Sequence, residues 1–171
     1  TIAHTELALL AKNLMSNDKH AQAQEFQRVT QQLAGAGAER VAITSFGGSF
    51  CADEFARISP LPMMDGPSAL VQHLQQAGLS RVGILGTTAV MSSKLYGKLD
   101  GVCECLSPAD EGEDAMQQCH DDYRELAFNG MATEGQRSRL FGAAQRLCER
   151  GAQTVILGGT DLNVIFDGSE P

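Results

Sequence analysis

The chain has 171 residues, 43% of them hydrophobic, and a formal net charge of −8 at pH 7, enough for one good core or two small ones. The acidic balance and the lack of a basic stripe exclude nucleic acid as the main partner, and a chain without Trp has no stacking platform for bases. No apolar run approaches the roughly 18 residues of a membrane span, and no charged-then-apolar leader precedes a small-residue cleavage site.

Residues 19–34 (KHAQAQEFQRVTQQLA) set apolar groups near helical spacing and predict a helix, ended by Gly35 and Gly37. Val41–Ile43 reads as a short buried strand, Phe50–Ile58 as a helix, and Pro60–Met64 as an extended segment, because proline pushes its predecessor out of the helical region. SALVQHLQQA, Ser68–Ala77, is a helix closed by Gly78. Arg81–Leu85 is a strand, with Gly86-Thr87-Thr88 as its turn and a helix expected over Val90–Leu99. Val102–Leu106 is a short strand that would set Cys103 and Cys105 on one face. Glu113–Phe128 and Thr133–Arg150 read as helices separated by Asn129-Gly130, and the acidic run Asp110–Asp114 reads as a solvated helix start. Gln153–Leu157 is a strand, followed by the turn Gly158-Gly159-Thr160-Asp161. Strands alternating with helices predict a mainly parallel sheet with helices on both faces.

Three strands thus end in small, polar, glycine-bearing turns, TSFGGS, GTT and GGTD. In parallel α/β sheets ligands sit beyond the carboxyl ends of the strands, and the helices that follow offer unpaired N–H groups suited to a carboxylate or phosphate. None of the three matches a P-loop or the dinucleotide fingerprint. The five cysteines, Cys51, Cys103, Cys105, Cys119 and Cys148, are odd in number and irregular in spacing, which predicts reduced thiols in a cytoplasmic protein. Cys103, Cys105 and the Cys119-His120 pair lack the wider, repeated spacing of a zinc site, so no metal is expected. Ser45 has no His and Asp in a triad order, which argues against a serine hydrolase.

The chain resembles the aspartate/glutamate racemase family, cofactor-independent amino-acid racemases, over nearly its whole length. The resemblance is carried by AGAGAER before VAIT, the LP of SPLPMM, RVGILGTTAVM with Tyr96 after it, and GAQTVILGGTDL. It implies two similar α/β lobes with mainly parallel sheets and an active-site cleft between them. Residues 1–67 would form an incomplete first lobe, 68–161 the second lobe, and 162–171 the start of a return to the first. In the family each lobe presents a cysteine at a strand end, one thiolate removing the α-proton and the other thiol returning a proton on the opposite face. No cofactor is involved, and relatives are often dimers.

The resemblance places Ser45 at the first cysteine's position and Gly159, which has no side chain, at the second's. It assigns substrate contacts to Thr44, Phe46, Gly47, Asp65, Thr87, Thr88, Thr160 and Asp161. Asp65 either reaches the site or caps the helix beginning near Pro67, and Asp161 either orients an ammonium group or holds its turn by local hydrogen bonds. Cys51, six residues past Ser45, is expected to pack as a buried thiol. The family's first strand, last strand and last helix have no counterpart, so a trimmed chain or an incomplete first lobe is expected. The expected ligand is a small acidic amino acid or dicarboxylate, with two-thiol racemisation altered or lost and a catalytically silent binding protein as the alternative.

Overall fold

The computed structural model describes residues 1–168, in two compact units, Thr1–Gly66 and the chain from Pro67 onward. The last three residues of the expected return segment, 169–171, lie outside the described residues.

The first unit starts with helix α1, Leu7–Met15, which the sequence pattern did not announce. Its N-cap, Glu6, makes no side-chain cap bond, so the usual start signal is missing. What holds α1 is tertiary. Asn13 is buried and donates from Nδ2 to Gln22 Oε1 at 3.0 Å, on the next helix, α2, Lys19–Gly35. Helix α2 begins where Asp18 accepts from the Ala21 N–H at 2.9 Å. Strand β1, Val41–Ala42, pairs in parallel with β2, Met63–Met64. Between them, the stretch expected as one helix is two pieces. Gly47–Cys51 forms a 3₁₀ turn, with the Ser49 N–H bonded to Phe46 O, and α3 follows at Ala52–Ile58. Ala23, Val41 and Phe55 form the core of this unit, with Phe26 edge-on to Phe55 at 5.6 Å between centroids.

In the second unit, α4 (Gly66–Gln76) leads to β3, Arg81–Gly86, the centre of a parallel sheet ordered β4-β3-β5. Strand β4 is Glu104–Leu106 and β5 is Val155–Gly158. Every side chain of β3 after Arg81 is buried, as a central strand covered on both faces requires. Two long helices, α6 (Glu113–Asn129) and α7 (Glu134–Glu149), pack against β3. The turns the sequence marked for them are present. Gly130 ends α6 in the left-handed region at φ +68°, and Thr133 and Gln136 form a reciprocal capping box on α7.

Three expectations are corrected here. The helix predicted over Val90–Leu99 is α5, Thr88–Ser92, only. Ser93 Oγ accepts from the Tyr96 N–H at 2.9 Å, and Lys94, Leu95 and Tyr96 take φ of +48°, +59° and +57°. Left-handed backbone costs about 1–2 kcal/mol per residue, and here it accompanies the complete burial of Leu95 and Leu99. Cys103 lies before β4, its N–H bonded to Leu99 O, so it shares no strand face with Cys105. The acidic run is not simply solvated. Asp110 caps a 3₁₀ turn at Pro108–Glu111 and pairs with Arg150 at 2.9 Å, while Glu111 pairs with Arg146 at 2.7 Å.

Candidate functional site

The turn after β1 belongs to the first unit. Ser45 is half-buried, and its Oγ accepts the Gly48 N–H at 3.3 Å. Its carbonyl accepts from Ser49 Oγ at 3.2 Å, so the turn is tied back on itself. A hydroxyl used as an acceptor keeps its own proton to donate. Thr44 is exposed beside it, Phe46 opens the 3₁₀ turn, and Gly47 follows. Thr44 and Ser45 line a cavity of about 220 Å³ with Phe26, Val41 and Phe55 among its apolar walls. Asp65 lies between β2 and α4, half-buried. Cys51 is fully buried, and burial first, then the charge of Glu54, pushes its thiol up to about 12.

The strand ends of the second unit are crowded by one face of α6. Gly86 and Gly158 pair across β3 and β5, and a side chain on Gly86 (φ +156°) would stand 2.9 Å from Gly158 O, so both strands finish with bare backbone. Thr87 caps α5 by accepting the Val90 N–H at 3.3 Å. Thr88 donates its N–H to His120 Nδ1 at 3.1 Å, which leaves the imidazole proton on Nε2. Burial is the largest effect on His120 and lowers its pKa, favouring the neutral ring. Thr88 Oγ1 is buried and has no hydrogen-bond partner among the described residues.

One residue before His120, the Cys119 thiol meets the Gly86 backbone; burial pushes it up to about 11. Three residues after His120, Tyr123 lies on Gly159. A Cβ built on Gly159 would overlap the Cε2, Cζ and Oη atoms of Tyr123. The backbone there is extended (φ −154°), which any residue adopts, so glycine is needed for space and not for conformation. Tyr123 Oη donates to Asp161 Oδ2 at 3.3 Å. Burial, then the Asp161 charge, raises the phenol above its ordinary value. Thr160 is exposed and opens a 3₁₀ turn at Thr160–Val164.

Of the residues predicted for the site, Thr87, Thr88, Gly159, Thr160 and Asp161 therefore stand at the strand ends of one unit, and Thr44, Ser45, Phe46, Gly47 and Asp65 belong to the other. Sequence reasoning missed Tyr123 and the role of His120. The available signal was spacing: Tyr123 stands three residues after His120 and four after Cys119, so it neighbours each on the surface of α6. Among the described residues, no group of three His, Cys, Asp or Glu side chains could hold a metal ion, and no helix is long and apolar enough to cross a membrane.

This arrangement, parallel strands ending in glycine-rich polar turns, has known counterparts. A crystal structure of a candidate Asp/Glu racemase from Yersinia pestis is similar at a TM-score of 0.72 and 21% identity, covering 94% of this chain and 70% of that one. An aspartate racemase homologue from Pyrococcus horikoshii OT3 matches at 0.68 and 21%, over 90% of this chain and 68% of that one. The aspartate racemase of Picrophilus torridus matches at 0.69 and 16%, over 84% and 58%. At such identities the likeness is one of fold. The sequence adds the family itself, because the model described as Asp/Glu/Hydantoin racemase matches residues 11–171. Fold and sequence together establish that the chain belongs to the Asp/Glu/Hydantoin racemase family.

Proposed function

We propose that the chain acts, without a cofactor, at the α-carbon of a small acidic amino acid or dicarboxylate, exchanging the α-proton faster than it inverts the carbon. Ser45 and Gly159 stand, on this reading, where the family carries its two cysteines. The observation that supports it most is the state of the available thiols near those turns. Cys51 and Cys119 are buried and raised to about 12 and about 11, so neither is a thiolate at neutral pH and neither replaces a missing catalytic cysteine. On this proposal two-thiol inversion does not operate, and the polar turns receive the substrate's carboxylate. Ser45, whose Oγ already accepts the Gly48 N–H, contributes a hydroxyl proton at the first strand end. Thr88 Oγ1, Thr160 and Asp161 contribute at the second. Part of the same proposal is the assignment of two lobes, 1–67 and 68–161 with a return from 162, in a cytoplasmic homodimer; five free cysteines fit a reducing compartment.

The test is NMR in D₂O with both enantiomers of aspartate and glutamate, following loss of the α-proton signal, with chiral chromatography of the same samples. Exchange that outruns enantiomer conversion is expected, reduced about tenfold or more in Ser45→Ala. A second reading has its own support. Thr88 N–H is taken by His120 and the space over Gly159 by Tyr123, as in a site kept for binding alone. Saturable binding of the same acids with no exchange would establish that reading and end the first.

A further inference from the structure

We propose that Tyr123 supplies the proton-transferring group that position 159 lacks, with Asp161 as its hydrogen-bonded proton acceptor. The inference rests on the proposed reaction at the α-carbon. The space a side chain on Gly159 would enter is already held by the phenol of Tyr123, so a residue-159 side chain and this phenol are alternatives for one volume. Gly159 itself is buried at the end of β5, and its extended backbone would accept any residue, so the glycine is explained by the tyrosine. The hydroxyl is not idle packing. It reaches back to the same turn and donates to Asp161, two residues past Gly159. Neighbouring donors complete the strand end. His120 carries its proton on Nε2, and the buried Thr88 Oγ1 has no partner among the described residues. Both suit a carboxylate whose charge grows as the α-proton leaves.

The step balances on this chain and water alone. The Tyr123 hydroxyl passes its own proton along its hydrogen bond to Asp161 Oδ2 as its oxygen takes the α-proton. The C–H bond breaks, its electron pair stays on the carbon and spreads into the carboxylate, and an O–H bond forms on Tyr123. That proton exchanges with solvent, and the reverse transfer returns a solvent proton to the same side of the carbon. Hydrogen is exchanged and configuration is kept. Burial and the Asp161 charge disfavour a free phenolate, so the phenol's proton moves to Asp161 as the α-proton arrives.

Tyr123→Phe keeps the ring over Gly159 and removes one oxygen, so the fold is retained. We expect α-proton exchange of aspartate or glutamate in D₂O to fall about a hundredfold or more, in kcat with KM unchanged, at a thermal midpoint within about 2 °C of the wild type. Asp161→Asn is expected to lower the exchange rate about tenfold or more at an unchanged midpoint. Wild-type exchange persisting in Tyr123→Phe overturns this inference and leaves the proposed function standing. No exchange by the wild type overturns both, and is seen before any variant is compared. Should Tyr123→Phe fail to fold, Asp161→Asn decides, and an unaltered rate overturns the inference.

Discussion

Gly159 and Tyr123 show how one residue's absence is another's presence. Because the phenol fills the space above residue 159, Gly159→Ala is expected to destabilise the chain by about 2 kcal/mol, a typical cost of overpacking. The cost should shrink in a Tyr123→Ala background, and a double-mutant cycle read by denaturant unfolding measures that coupling. Thiol chemistry gives a second residue-scale expectation. Cys51 and Cys119 are buried and raised to about 12 and about 11, whereas Cys148 is exposed. Alkylation at pH 8 followed by mass mapping should label Cys148 first, and reach Cys51 and Cys119 only under denaturant.

At the scale of elements, the legible ones carry their own end signals. Helix α7 starts at a Thr133–Gln136 capping box, with the Gln136 N–H bonded to Thr133 Oγ1 at 3.2 Å. Thr133→Ala is expected to lower stability by about 1 kcal/mol in urea unfolding. Helix α5 misleads because its apolar spacing continues past its end. Ser93 Oγ donates back to Ala89 O in the last turn, and the burial of Leu95 and Leu99 overrides the periodicity. Helices α6 and α7 are joined by a bidentate pair, Arg139 Nε to Asp122 Oδ2 at 2.8 Å and Nη2 to Oδ1 at 2.6 Å. Asp122 is 3% exposed, so its carboxylate depends on that arginine.

For the molecule as a whole, proton linkage reaches stability through His120. Its folded pKa lies below the ordinary 6.5, chiefly through burial, so the unfolded chain binds a proton on this group more readily than the folded one. Its contribution is present above pH 6.5 and is lost as the pH falls through the folded value. The thermal midpoint should therefore fall on acidification below that point. His120→Asn, which keeps an acceptor for the Thr88 N–H, should flatten that part of the curve. Each unit builds its sheet from parallel pairs, β1 with β2 and β4-β3-β5, so in each unit the glycine-bearing polar turns stand at strand carboxyl ends.

The sequence by itself determined the family, the α/β class with parallel strands, and the turns at Thr44–Gly48, Gly86–Thr88 and Gly158–Asp161. These are local facts, written in period, glycine placement and short motifs. It also marked α6 and α7, whose caps are chemical signatures. Helix α1 has no side-chain cap at its N-terminus and is held through Asn13 and Gln22, a bond across nine positions. The tertiary structure alone decided what stands over Gly159. The tyrosine lies 36 residues earlier in the chain, and the pairing of helix face with strand end follows from the packing of α6 on the sheet. A missing side chain is visible in a sequence. The group that fills its place is visible only once distant elements share one volume, because close packing is a property of space and not of sequence order.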